Sequence, residues 1–435
     1  VPLRTHRREF LRRSAALAGA GLFVAATDLV ARSPNDKLNI AIVGAGGRGG
    51  GNIDGVQGEN IVALCDVDDN HLNEASGKFP SAQKFHDFRR MLDELGKSID
   101  AVVVSTPDHT HAVATIAALK LGKHVYCEKP LTHSIGEARA VAEAARKAGV
   151  ATQMGNQGHS GEPTRQIYEL IRAGAIGPVR EVYGWTDRPI WPQDVQRPTD
   201  TPDVPASLKW DLWLGPAPER PYNPAYHPFK WRGWWDFGTG AVGDMACHVL
   251  DAACFALDLK APDSVVAEAE GGNAETAPKA ATVTYKFPAR GEMPPVTLTW
   301  SEGGRRPSRD IVFGEELPEN GTIYVGDKGV LYAPDAYSGN FRLLPTDKFG
   351  DFKAPEPYLR RSPGHHEEWI AACKSGSPTG SNFEYAAALT EMVLIGNLAM
   401  RLGQPIEWDA AAMKVKGRPE ADPLIMREYR KGWSI

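Results

Sequence analysis

The sequence has little to lock it together covalently. Its five cysteines, Cys65, Cys127, Cys247, Cys254 and Cys373, include no CxxC pair and no metal-ligand spacing. An odd, scattered set argues against a disulfide framework and fits maturation in a reducing compartment. Neither charge is in large excess: 49 Lys and Arg stand against 54 Asp and Glu, a net charge of −5. That balance gives no basic face for nucleic acid and no acidic tract of the kind that stays disordered. There is no internal repeat and no low-complexity tract. No segment has the roughly 18 apolar residues of a membrane span, so no stable span is expected in the mature protein. What is present is ordinary globular material, 42% hydrophobic over 435 residues. This length is too great for one ordinary domain and suggests two.

The first residues read as a targeting segment. Residues 5–12 are THRREFLR, and a short apolar run with no polar face follows over residues 15–26. A charged stretch followed by a short apolar one has the build of a signal peptide. Arg7 and Arg8 ahead of Phe10 and Leu11 resemble the twin-arginine signal, which exports proteins already folded. Residues 1–33 are therefore expected to be this signal, cleaved between Ala26 and Ser33. The twin-arginine machinery is the implied partner, and the periplasm or another exported location the implied destination.

Residues 34–157 read as a doubly wound parallel α/β sheet of the Rossmann type. The apolar run KLNIAIV leads into Gly44-Ala45-Gly46-Gly47-Arg48-Gly49. In a GxGxxG turn the first glycine permits the bend. The second lets the backbone approach a pyrophosphate, and the third lets the next helix pack closely. The helix start then offers free N–H groups and the positive end of its dipole. A second apolar strand, residues 60–65, ends in Asp66, at the distance the dinucleotide fingerprint requires. Its carboxylate suits ribose hydroxyls and repels a 2′-phosphate, which favours NAD over NADP. Helices are predicted over residues 69–79, 88–95 and 112–121. The run AVVVS, residues 101–105, reads as a fully buried parallel strand. Ligands bind at the carboxyl ends of such strands. This places Thr106, Pro107, His111, Glu128, Lys129 and Pro130 at the crevice, while His109 reads better as a loop or cap residue.

GAGGRG, CDVD (residues 65–68), STPDHTH (105–111), EKP (128–130) and VGDMACHVLD (242–251) together resemble the glucose-fructose oxidoreductase / inositol dehydrogenase (Gfo/Idh/MocA) family. The resemblance covers most of the chain beyond the signal, with Ala246 where that family usually has glycine. It implies a catalytic set of Lys129, Asp244 and His248, with the lysine between nicotinamide and substrate. It implies NAD contacts from Gly44, Gly46, Gly47, Arg48, Gly49 and Asp66. Further contacts are expected from Ser105, Thr106, Pro107, His111, Glu128, Lys129 and Asn156. The chemistry also follows from the residues. Taking hydride from an alcohol needs a base for the hydroxyl proton. A lysine serves if burial and a nearby cation lower its pKa. Asp244 and His248, spaced i, i+4, share a face if the segment is helical, and Asp251 could orient His248.

Residues 158–435 are expected to form an α+β domain with a large, open, mostly antiparallel sheet. Strand patterns recur at residues 179–186, 281–287, 296–300, 321–325 and 329–332. The resemblance makes the open face of that sheet the expected interface of a homodimer or homotetramer. Between Trp185 and Trp235 lies a Pro- and Trp-rich insert, and long loops of this kind are usually functional. Trp234, Trp235 and Asp236, nearest Asp244 in sequence, are the expected substrate contacts, with His366 a further candidate. Adjacent His365 and His366 diverge on a helix, so no metal is expected. The function expected is NAD(P)-dependent oxidoreduction of a sugar, polyol or sugar derivative. Cofactor is scarce outside the cytoplasm, so an exported enzyme must hold and regenerate it in place. The alternative is redox-neutral glycoside hydrolysis of the N-acetylgalactosaminidase-like type, by oxidation, elimination, hydration and reduction. A catalytically silent binding protein is the least favoured class.

Overall fold

A computed structural model of the chain describes residues 36–435. The twin-arginine stretch and its cleavage region lie outside the described residues. The first sheet is built from short runs of β-branched and small apolar residues: β1 (Asn39–Val43), β2 (Asn60–Cys65), β3 (Gln83–Phe85), β4 (Ala101–Val104), β5 (His124–Cys127) and β6 (Thr152–Met154). All are parallel, in the order β3-β2-β1-β4-β5-β6. β4 is buried along its whole length, as expected of a strand covered by helices on both faces. Three of the helices between strands start where side chains cap them. Asp68 and Asp87 accept from backbone N–H groups two residues on, and Ser134 with Glu137 forms a capping box. The strand order reverses between β1 and β4, and that switch point opens a crevice at the strands' carboxyl ends.

The second sheet has nine strands, in the order β13-β12-β11-β7-β10-β9-β8-β14-β15. They are β7 (Val179–Thr186), β8 (Ser264–Glu270), β9 (Ala280–Phe287), β10 (Val296–Glu302), β11 (Asn320–Gly326), β12 (Gly329–Ala333), β13 (Arg342–Leu344), β14 (Ile406–Asp409) and β15 (Lys414–Val415). Its pairs are antiparallel except β7 with β10. Helices Gly240–Val249, Asp251–Leu257 and Phe383–Leu402 cover one face, sharing a core with Val182, Leu298 and Tyr285. No single helix among the described residues is long and apolar enough to cross a membrane.

The two halves are not separate in packing. Helix His365–Ser375 lies on the first sheet, where Trp369 and Cys373 join Ile40, Leu64 and Val103 in one cluster. Trp433 also returns to the first domain, where it packs on Phe88 of helix Phe88–Leu95, and the Arg89 guanidinium lies 4.1 Å from its ring centre. Apolar periodicity marks which face of a segment is buried but not which sheet it covers. A boundary near residue 157 therefore divides the sequence and not the core.

Candidate active site

A cleft of about 640 Å³ runs along the carboxyl ends of β1, β2, β4 and β5 and is closed on its far side by the second domain. At its base the glycine turn fits a pyrophosphate. Gly44 has φ +88°, and a Cβ there would lie 2.8 Å from Ser105 carbonyl carbon; one on Gly49 would lie 2.0 Å from Gly44 O. Helix Arg48–Val56 begins with no side-chain cap; Gly49 N and Gly50 N donate back to Gly46 O (2.9 Å) and Gly47 O (3.2 Å), and the Arg48 N–H at the helix start remains available to an anion. Asp66 ends β2 as expected, with its carboxylate engaged by the turn itself. Oδ2 accepts from Ala45 N (2.8 Å) and Gly46 N (3.3 Å), and Oδ1 from Asp68 N (2.9 Å). Burial pushes its pKa up, but His71 and these N–H groups outweigh burial and hold it below the usual range. The His71 ring lies directly against Gly46.

Glu128 closes the middle of the cleft. Its Oε1 accepts from Arg48 Nε (3.0 Å), Asn52 Nδ2 (3.0 Å) and Gln157 Nε2 (3.1 Å). Against burial, Arg48 and Lys129 keep it ionised. The next residue reaches across to the second domain. Lys129 Nζ donates to Asp244 Oδ1 at 2.7 Å and to Asp244 O at 2.8 Å. Arg232 Nε reaches the same Oδ1 at 3.3 Å. The helix carrying Asp244 is held in place by the Thr239 hydroxyl, which donates to Asp108 at the start of helix Asp108–Lys120 (2.7 Å). His248, one turn beyond Asp244, faces the cleft beside Tyr337, ring centres 4.8 Å apart.

The electrostatics follow from burial and these pairs. Burial raises and the two cations lower the Asp244 pKa, which settles at about 2. Burial opposes the Lys129 charge, yet Asp244 and Glu128 outweigh it and hold the ammonium above its ordinary pKa. This departs from the expectation of a lowered lysine, because the acid beside it outweighs desolvation. Burial, with Lys129 close by, lowers His248 to about 3, so it is neutral.

Gly44, Gly46, Gly47, Arg48, Asp66, Ser105, Thr106, Pro107, Glu128, Lys129, Asp244 and His248 all line the cleft. Gly49 packs beneath the turn. Other expected contacts lie away from the cleft wall. The His111 ring nitrogens bond Thr106 O (2.7 Å) and Pro130 O (2.8 Å), so it braces two cleft loops from behind. Asn156 is fully buried and donates to Asp251. Asp251 accepts from His159 Nδ1 and the Tyr385 hydroxyl and does not orient His248, whose Nδ1 has no hydrogen-bond partner among the described residues. Trp234 turns into the insert's own core and donates to Ala225 O. Trp235 donates to Asn273 O, and Asp236 pairs with Arg220. His366 stacks on Tyr126, ring centres 5.0 Å apart. The insert instead gives the cleft Arg188, Trp191, Trp213, Trp231 and Arg232. No local signal separates these rings and cations from their neighbours. His109, read as a loop or cap residue, is buried and bonds Phe237 O and Trp213 O.

The chain is 35% identical to a Solibacter usitatus protein named glycosyl hydrolase family 109 protein, over 31% of this chain and 35% of that one. It is 30% identical to an inositol 2-dehydrogenase of Rubrobacter xylanophilus, over 35% of this chain and 45% of that one. Less than half the length of either relative is matched. The WlbA dehydrogenase of Bordetella pertussis, solved with NADH and UDP-GlcNAcA, has the same fold: TM-score 0.60 at 16% identity, over 86% of this chain and 99% of that one. The family model for the Gfo/Idh/MocA oxidoreductase family, NAD-binding Rossmann fold, matches residues 38–156, and that for the family's C-terminal alpha/beta domain matches residues 162–435. The chain thus belongs to the Gfo/Idh/MocA oxidoreductase family, and its first sheet is that family's NAD-binding fold.

Proposed function

We propose that the protein is an NAD-dependent oxidoreductase acting on a hydroxyl-bearing carbon of a sugar, polyol or sugar derivative, with the cofactor held through the cycle. The observation that carries this reading is the Lys129–Asp244 contact, 2.7 Å across the same cleft that holds the glycine turn. NAD, when bound, supplies the hydride acceptor. Lys129 stands where it can exchange a proton with the substrate oxygen. Its ammonium is the acid for reduction, and its small unprotonated fraction is the base for oxidation. Asp244 fixes the direction of Nζ through two bonds, and neutral His248 offers a ring nitrogen to a second hydroxyl. Asp66 at the ribose end disfavours a 2′-phosphate. Tight retention is supported at that end of the cleft, where Val67, Phe88, Leu212, Trp213 and Trp433 form an apolar wall. The insert is also tied to the first domain there, by Asp69 N to Ser207 O and Lys209 N to Val67 O, both 2.9 Å.

The test is to denature the purified protein and identify what it releases by mass and absorbance. The loaded protein is then titrated with sugars while NADH is followed. Nucleotide-free protein with no affinity for added NAD would sink the proposal. The Solibacter relative's name supports a second reading, redox-neutral glycoside hydrolysis. Release of a glycoside's leaving group with no net NADH would select it. The proposal also takes residues 1–33 as a twin-arginine export signal. Arg7→Lys with Arg8→Lys should then block secretion, and normal secretion would remove this part. It further includes self-assembly through the open face of the second sheet, to be checked by light scattering.

A further inference from the structure

The cleft holds more positive charge than proton exchange requires. Lys129 and Asp244 offset one another. Arg48 is matched by Glu128, Asp87 by Arg89, Asp66 at the far end is held by the glycine turn's N–H groups and His71, and Asp108, buried behind Lys129, lies close to a charged His111. Two guanidinium groups on the second-domain side remain. Arg232 spends Nε on Asp244, an acid already paired with Lys129, and Nη1 on Phe229 O at 3.2 Å. Its Nη2 makes no hydrogen bond within the described residues. The rings of Trp231 and Phe229, 4.4 and 4.7 Å from its central carbon, hold its plane. Arg188 follows the end of β7, lines the same cleft half-buried, and has no side-chain hydrogen bond or ion pair among the described residues.

Two cations in one partly dry cleft repel each other unless an anion lies between them. The cofactor's phosphates already have the glycine turn and Arg48 on the opposite wall. Guanidinium edges match carboxylate and phosphate oxygens geometrically, and the flanking rings suit the C–H faces of a sugar.

We propose that the substrate is an acidic sugar or polyol, its carboxylate or phosphate ester held by Arg188 and Arg232 while the carbon to be oxidised sits at Lys129. This rests on the oxidoreductase reading and names the substrate class for it. Arg188 is then a specificity residue. It fixes which carbon faces Lys129 by anchoring the anionic end, and it discriminates against neutral sugars, which leave two cations unmatched.

The experiment uses the full, NAD-loaded chain. Galacturonate, gluconate and glucose 6-phosphate are compared with galactose and glucose by kcat and KM at low and high salt. At least one acidic probe is expected to exceed its neutral parent in kcat/KM by about tenfold or more. Raised salt should narrow that preference. Arg188→Gln should cut it on the order of tenfold, mainly through KM, and Arg188→Lys should restore part. The better of the carboxylate and phosphate arms identifies the anionic group. Turnover of neutral sugars with no acidic preference, or a preference that Arg188→Gln leaves intact, overturns this inference and leaves the oxidoreductase reading standing. Calorimetric binding of an acidic probe with no turnover of any sugar upholds the anion site and overturns the redox reading.

Discussion

Asp244 and Asp251 lie two helical turns apart in one run of sequence, and both are acids surrounded by donors, yet they do opposite things. The run breaks at Leu250, and the two short helices meet at a bend of 54°. Asp244, on the first, reaches Lys129 and Arg232 at the cleft. Asp251, on the second, is 2% exposed and accepts from Asn156 (2.9 Å), His159 (2.9 Å) and Tyr385 (2.7 Å). Around Asp251 two of the three donors, Asn156 and His159, are fully buried, Tyr385 is half-buried, and none of them lines the cleft. Around Asp244 the donors also line a cavity, so a ligand can take a share of them. What distinguishes the acid at the cleft from the one in the core is whether its partners can be shared.

The largest break in this comparison is Lys129→Ala. It removes the group proposed to exchange the substrate proton but leaves Asp244 paired with Arg232. Turnover on whichever sugar is the substrate should fall by on the order of 10²- to 10⁴-fold. The released nucleotide, measured after denaturation, should match wild type. Turnover within threefold of wild type would take Lys129 out of the chemistry. Asp251→Ala is the complementary break. It strands a buried imidazole, an amide and a phenol together, at a cost of about 3 kcal/mol or more. The denaturant midpoint should drop accordingly, while the protein that remains folded turns over at close to the wild-type rate. A large loss of turnover at unchanged stability would mean that Asp251 acts on His248 after all.

Much of the cleft was legible because its signals are local. A glycine turn after an apolar strand, an acid at the end of the next strand, and two polar residues one turn apart on a helix each depend on a few neighbouring residues. Asp251 was misjudged because helical spacing carries it onto the Asp244 face only if the helix continues, and it stops at Leu250. Trp234 and Trp235 were expected at the substrate because they stand nearest Asp244 in sequence. The insert folds so that Trp234 packs on Tyr226 and Trp235 lies under Arg401. Trp191, Trp231 and Arg232 face the cleft instead. In a loop with so little regular structure, the direction of a side chain is set by distant packing, and no periodicity records it. The placement of helix His365–Ser375 on the first sheet is of the same kind, and it carries His366 to Tyr126 and away from the cleft.

A smaller and sharper test is Asp244→Asn. In the native cleft, burial lowers and Asp244 raises the Lys129 pKa, and the acid wins. Oxidation requires unprotonated lysine, so wild-type kcat/KM should climb with pH into the alkaline range. Removing the carboxylate leaves burial and Arg232, which favour neutral lysine, opposed by Glu128 alone. The alkaline limb should move to lower pH although peak turnover falls by roughly tenfold. A limb that stays in place would assign it to another group, and its loss in Lys129→Ala is the control.

His248→Gln should have the smallest effect, and it separates the two histidines as Lys129→Ala and Asp251→Ala separate the two acids. His159 is bonded to Asp251 in the core, whereas His248 has an Nδ1 with no hydrogen-bond partner among the described residues and one face against Tyr337. Glutamine keeps a polar group at the cleft, so turnover should fall only several-fold and stability near neutral pH should change by about 1 kcal/mol or less. The pH dependence carries the information. Burial first, then Lys129, lowers the folded pKa of His248 to about 3, while an unfolded histidine titrates near 6.5. A group depressed on folding contributes its stability above the unfolded value. It loses that contribution as pH falls from about 6.5 toward 3, because the unfolded chain takes up the proton first. The variant has no such group. Its melting temperature relative to wild type should therefore rise as pH is lowered from 7 to 4, and its turnover profile between pH 5 and 8 should keep the wild-type shape. A relative melting temperature that holds constant, or an acid limb in wild-type turnover that the variant loses, would show that His248 carries a proton in the working cleft.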